Sequence, residues 1–181
     1  MPPKPWKTLS TREVYRNKWM RLREDLAEMP DGRTTIYGVC EFGSCVGVLP
    51  FVDRDHVVLV RQYRYVQRED FRWEMPTGGV KPGESLEEAA QRELMEEAGY
   101  RAGRLTHLSS FLTSKSICDE TAHLYLGEQL TQASAPPDDT EFLEVQTFPF
   151  QDVLRMVERS EIRDGMTVIA VLRAQQVLAT R

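Results

Sequence analysis

The sharpest alternation of apolar and polar positions falls between residues 78 and 100, GGVKPGESLEEAAQRELMEEAGY. Leu86, Ala90, Leu94 and Ala98 recur at every fourth position, as one face of a helix does. Glu93, Glu96 and Glu97 gather on another face at i, i+3 and i+4. Ser85 and Glu88 stand at capping-box spacing, and Gly99 occupies the place of a left-handed stop. The pattern predicts a glycine-rich loop running into a short helix.

Elsewhere the period is mostly two. Alternating stretches over residues 8–42 are broken at Met29-Pro30-Asp31-Gly32, a turn signal that predicts a β-hairpin. Residues 46–52 and 56–62 are β-rich runs around Asp53-Arg54-Asp55 and read as central core strands. Residues 107–112 and 121–126 read as further strands joined by a polar connection at 113–120. QASAPPDDT, residues 132–140, is loop-like, and Glu141 to Val145 enters a strand. Helical spacing returns at 150–159 and 167–180, with Val168, Val171, Leu172 and Leu178 marking a face expected to pack on the sheet. No internal repeat or low-complexity segment is present.

Composition narrows the class. A length of 181 residues fits one domain with a sizeable core, or one domain with a small N-terminal extension. With 23 basic and 28 acidic residues the net charge is −5, which gives no general attraction to nucleic acid or an anionic membrane. Cys40, Cys45 and Cys118 are odd in number and form no CxxC pair, and His56, His107 and His123 are scattered. Neither a disulfide framework nor a zinc site is expected, and a reducing cytoplasm is. No apolar run approaches membrane-spanning length, and MPPKPWKTLS lacks the apolar centre of a signal peptide.

The carboxylates at 93, 96 and 97 are the chemical anomaly. They lie in the last turn of the predicted helix, where the macrodipole disfavours each negative charge by roughly 0.3–1 kcal/mol. Like charges one turn apart add a few tenths of a kcal/mol more. A hard divalent cation would reverse that cost, because Mg²⁺ and Mn²⁺ prefer oxygen ligands and bridge phosphate oxygens. The alternative is a solvated acidic helix end. Arg92 is placed to reach Glu96 or Glu88 along the helix and to fix a carboxylate rotamer.

The full spacing is Gly78, five residues, Glu84, seven residues, Arg92-Glu93-Leu94, one residue, Glu96-Glu97, one residue, Gly99-Tyr100. It resembles the Nudix box at every defined position. The resemblance implies an α/β chain: the family's α/β/α sandwich around a mixed β-sheet, over residues 43–181, with a small N-terminal β extension at 1–42. It implies a hydrolase of nucleoside diphosphates linked to another moiety. Glu93, Glu96 and Glu97 would hold Mg²⁺, with Mn²⁺ as a substitute, joined by the backbone carbonyl of Thr77. Glu84 would support the loop or the metal's water shell.

Flanking residues resemble the ADP-ribose pyrophosphatase branch. There RQYR and WEMPTGG imply that Arg64 contacts the substrate's phosphates or terminal sugar while Glu74 positions it. Trp19 and Tyr37, on opposite arms of the hairpin, would sandwich the base in a homodimer that exchanges this sheet, or would form an ordinary cross-strand aromatic pair. Glu141 matches the branch's general base, with Asp139 and Glu144 as fallbacks, so that Glu141, Glu97 and Arg92 form the implied catalytic set. Residues 113–120 depart from the branch, carrying Thr113, Lys115 and Ser116 where relatives have proline and glycine. Lys115 there is either a phosphate contact or exposed, and Glu120 either a supporting acid or a surface carboxylate. Substrate choice therefore stays open. ADP-ribose and GDP-mannose stand beside dinucleoside polyphosphates, coenzyme A and capped RNA, and a non-catalytic nucleotide-sugar sensor is the rival from another class.

Overall fold

The computed structural model describes residues 4–133 and 142–180. The chain divides into two compact units, residues 45–111 with 122–181 and residues 1–44 with 112–121.

In the larger unit the apolar runs become β4 (Ser44–Pro50) and β5 (His56–Arg64). Strands this uniformly apolar must be covered on both faces, and they are. Val46, Val48, Val58 and Val60 pack with Ala90, Leu94 and Ala98 of α1 (Leu86–Ala98). The alternate residues Leu49, Phe51, Val57 and Leu59 pack with Val153 and Leu154 of α2 (Phe150–Glu158), and with Ala170 and Val171 of α3 (Gly165–Ala179). Helices thus flank the strands on two sides, the layering the box resemblance implies.

Two strand sets make the sheet layer. One runs β10 (Glu144–Pro149), β5, β6 (Glu69–Glu74); the other runs β7 (Thr77–Gly79), β4, β9 (Thr121–Gln132), β8 (Tyr100–Leu112). β8 and β9 extend well beyond the expected 107–112 and 121–126. β6 is an added strand, and the turn before it carries neither glycine nor proline: Gln67 and Arg68 donate their N–H groups to Arg64 O, with Arg68 at φ 51°. Asp164 caps α3 by accepting from Thr167 N at 2.7 Å, while Thr167 Oγ1 accepts from Met75 N at 3.0 Å. One threonine thereby ties the start of α3 to the strand that leads into the glycine loop. No helix among the described residues is long and apolar enough to cross a membrane.

The smaller unit is an antiparallel sheet in the order β1 (Lys7–Arg16), β2 (Arg21–Glu28), β3 (Thr34–Glu41). The turn at 29–32 forms as expected: Gly32 takes φ 87° and donates to Met29 O at 2.9 Å. The expected hairpin is a three-stranded sheet instead, because the chain reverses a second time at residues 17–20. There Asn17 Oδ1 accepts from both Trp19 N and Met20 N. An Asx-type turn needs neither glycine nor proline, so its signal in sequence is faint. Near the end of β3, Cys40 forms an isolated parallel bridge with Cys118: Cys40 N donates to Ile117 O and Asp119 N donates to Cys40 O.

Candidate active site

The site grows from the two ends of α1. At its start Ser85 and Glu88 form the reciprocal capping box, and at its end Gly99 takes φ 73° and donates its N–H back to Met95 O. The helix is therefore fixed at both termini, with no basic residue in its last turn. Glu93 and Glu97 are 7% and 4% exposed, rare burial for carboxylates. β7 makes room for them. A Cβ at Gly78 would collide with the Glu93 carboxylate, and Thr77 N donates to Glu97 Oε2 at 3.0 Å.

Arg92 organises the rest. Its Nε and Nη2 grip the two oxygens of Glu84 at 2.8 and 2.9 Å, Nη1 donates to Glu93 at 2.6 Å and to Glu96 at 2.9 Å, and Nη2 also reaches Gly79 O. The expected contact with Glu96 forms. The one with Glu88 does not, because that carboxylate is engaged in the capping box with Ser85. Hydrogen bonding to Arg92 holds the Glu84 carboxyl below its ordinary range, and bonding to Glu84 raises Arg92 in turn. Glu84 also accepts from Lys81 N, so it braces the glycine loop.

The donor chemistry fits a hard divalent ion. Glu84, Glu93 and Glu96 face Arg92 and Lys81 while Glu97 lies against Thr77 N, so four carboxylates meet two cations, and Gly78 leaves Glu93 the space a side chain would fill. As the rotamers stand, no group of three or more His, Cys, Asp or Glu among the described residues is arranged to hold an ion. Arg92 draws Glu93 and Glu96 toward itself, while Glu97 turns to Thr77 N.

Beside Thr77 opens a cleft of about 510 Å³, lined in part by Gln62, Arg64, Arg72, Glu74 and Arg163. Arg64 Nη2 and Nε bind Glu74 Oε1 at 2.6 and 3.0 Å. Burial pushes the Glu74 carboxyl above its ordinary 4.5, against the opposing pull of Arg64. Arg64 and Glu74 thus meet as one unit. Arg72 and Arg163 share the cleft and were missed by sequence reasoning, since Arg72 sits in a strand without a clear pattern and Arg163 in what reads as a helix linker.

The other candidates are placed differently. Trp19 lies in the 17–20 turn, 67% exposed with Lys18 Nζ 4.1 Å from its ring. Tyr37 pairs in register with Asp25, contacts Trp6 edge-on at 6.2 Å and donates its hydroxyl to Ser116 O. Trp19 and Tyr37 are thus not a cross-strand aromatic pair: the extra reversal places Trp19 in a turn, and the ring that meets Tyr37 is Trp6, just ahead of β1. Glu141 and Asp139 lie outside the described residues. Glu144 is held by Arg61 Nε and Nη2 at 2.9 and 2.6 Å, which occupies this fallback base. Lys115 is exposed and Glu120 partly so.

Comparison with known proteins agrees with this architecture. The NUDIX domain family matches residues 41–179, and the family described as nucleoside diphosphate sugar hydrolase N-terminal domain matches residues 6–40. The ADP-ribose pyrophosphatase of Bacillus subtilis (strain 168) is 32% identical over 91% of this chain and 90% of its own. The methanol dehydrogenase activator of Bacillus methanolicus is 31% identical over 95% of both. A crystal structure of an ADP compounds hydrolase superposes with a TM-score of 0.88 at 25% identity, covering 99% of this chain and 97% of that one. With the box glutamates, their arginine and the N-terminal sheet all in place, the chain belongs to the Nudix hydrolase family.

Proposed function

We propose that the protein hydrolyses the pyrophosphate bond of a nucleoside diphosphate sugar, ADP-ribose or a similar compound such as GDP-mannose, giving a nucleoside monophosphate and a sugar phosphate. The observation that carries this reading is the burial of Glu93 and Glu97 against Thr77 and Gly78, directly beside the arginine-lined cleft. Glu93, Glu96, Glu97 and the Thr77 carbonyl would hold Mg²⁺, or Mn²⁺ in its place. Such an ion, when bound, neutralises pyrophosphate charge and lowers the pKa of water.

The remaining work falls to side chains. Arg92 keeps the box carboxylates oriented. Arg64 binds the phosphates or terminal sugar, and Glu74 fixes the angle of its guanidinium. Glu141 accepts the proton of the attacking water. Trp19 and Tyr37 stack on the base, each presented by the N-terminal extension, residues 1–42, of a homodimer whose catalytic domain is 43–181. The protein works in the cytoplasm.

The test is Mg²⁺-dependent phosphate release, coupled to a phosphatase, across ADP-ribose, GDP-mannose, UDP-glucose, diadenosine polyphosphates and coenzyme A. Turnover highest on a nucleoside diphosphate sugar is expected, and preference for diadenosine polyphosphate or coenzyme A refutes the substrate assignment. Glu97→Gln should cut turnover by about 10²-fold or more with the fold intact. An unchanged rate removes the metal role.

A further inference from the structure

Three cysteines without a CxxC motif give no sign of pairing in sequence, yet the smaller unit sets two of them opposite one another. Cys40, at the end of β3, is the bridge partner of Cys118, and the flanking hydrogen bonds Cys40 N to Ile117 O (2.8 Å) and Asp119 N to Cys40 O (3.2 Å) fix that register. Paired residues on adjacent strands direct their side chains to the same face, with backbones about 4.8 Å apart. A disulfide accepts Cα separations of about 4.4–6.8 Å. Both thiols are free and partly exposed, whereas Cys45 is buried.

Local structure also permits the small adjustment a bond needs. Cys118 stands in an isolated bridge after the turn at 114–117, so no long ladder holds it. Among the described residues its Sγ lies 3.6 Å from Thr113 Oγ1 and 3.6 Å from Ser114 O, weak sulfur contacts that a rotation about χ1 releases. The same segment is tied to β3 by Tyr37, whose hydroxyl donates to Ser116 O at 2.9 Å.

We propose that Cys40 and Cys118 form a reversible intramolecular disulfide, a redox clasp that locks residues 114–119 onto β3, with a hydroperoxide as oxidant. One thiolate attacks the peroxide oxygen, the O–O bond breaks, and a sulfenic acid forms as water or alcohol leaves. The second thiolate attacks that sulfur, the S–S bond forms, and the departing hydroxide takes a proton to become water. The sulfur pair loses two electrons and the O–O bond gains them. In a reducing compartment such a bond is transient, which suits a sensor rather than a structural staple.

The experiment uses the full chain. Hydrogen peroxide is added in slight excess, remaining thiols are alkylated, and the unreduced protein is digested and sequenced by mass spectrometry. Fragmentation between residues 40 and 45 separates the two cysteines that share a tryptic peptide. A Cys40–Cys118 link is expected, with Tm raised by roughly 5–15 °C and slowed amide exchange over 114–119, all reversed by dithiothreitol. The link should survive Cys45→Ala and vanish in Cys118→Ser. Absence of an intrachain link in the wild-type protein, a link through Cys45, or a link between two copies overturns the proposal. Wild-type mapping decides the matter even where a variant fails to fold. Because bond formation is read directly, its failure leaves the substrate assignment untouched.

Discussion

In the larger unit β4 and β5 bury apolar side chains on both faces, and residues such as Val46, Leu49, Leu59 and Leu124 are wholly inaccessible. In the three strands of the smaller unit the buried residues are Ala27 and Asp25 alone among those described, while Leu9, Val14, Leu26 and Ile36 are exposed, Ile36 at 67%. Charge knits that surface. Glu41 accepts from Arg21 and Arg23, Glu13 from Arg16 and Arg21, and Asp25 from Arg23 and Thr11. Exposed ion pairs contribute about 0–1 kcal/mol each, whereas a buried leucine contributes about 1.5–3 kcal/mol. One unit draws its stability from an interior; the other has little interior to draw on. A sheet with so much apolar surface gains most from being covered, which is the physical case for the proposed homodimer.

The contrast can be broken most severely from inside. Leu59→Ala, at a wholly buried position, should cost about 2–5 kcal/mol, read as a drop in the denaturant midpoint, while Ile36→Ala in a monomeric sample should change stability by less than about 0.5 kcal/mol. Equal losses would erase the distinction. In sedimentation velocity, Ile36→Lys should shift the proposed dimer toward monomer by about tenfold or more in dissociation constant, with Leu59 in the core intact. An unchanged distribution would mean that this face is not the interface.

Acid should move the two units in opposite directions. The Arg23 hydrogen bond, then that of Thr11, holds Asp25 below its ordinary 3.8, so its contribution is present above that value and is lost as pH falls through the folded pKa. Burial holds Glu74 above its ordinary 4.5, so its contribution is full below 4.5 and is lost as pH rises through the folded pKa. As pH falls below 3.8, Asp25→Asn should flatten the acid weakening of the smaller unit, and as pH rises above 4.5, Glu74→Gln should flatten the opposite trend in the larger. Amide exchange followed separately in β2 and β6 reads both. The smallest expected effect is at Glu84. Glu84→Gln should lower turnover several-fold by loosening Arg92, with KM little changed; a KM change alone would place Glu84 on the substrate instead.

What the sequence discloses follows from how local each signal is. α1 is legible to the residue, because Ser85, Glu88 and Gly99 write both of its ends within the helix's own span. The turn at 29–32 is legible for the same reason, through Asp31-Gly32. The reversals at 17–20 and 64–68 use Asn17 and Arg68 in place of glycine or proline, so strand number was undercounted in both units. Arg92 was rightly expected on Glu96, but its grip on Glu84 and Gly79 O depends on how the loop folds back, which helical spacing alone does not encode. Cys40 and Cys118 meet only after the chain between them has folded, and no periodicity foretells such a meeting.

The hold of Arg92 on Glu84, Glu93 and Glu96 has one more consequence. That guanidinium offsets the crowded charge at the acidic end of α1 from within the chain, so the fold of the helix does not depend on a dissolved cation to relieve it. Under the proposed function, an ion entering there would meet carboxylates that already share a positive charge supplied by the chain itself.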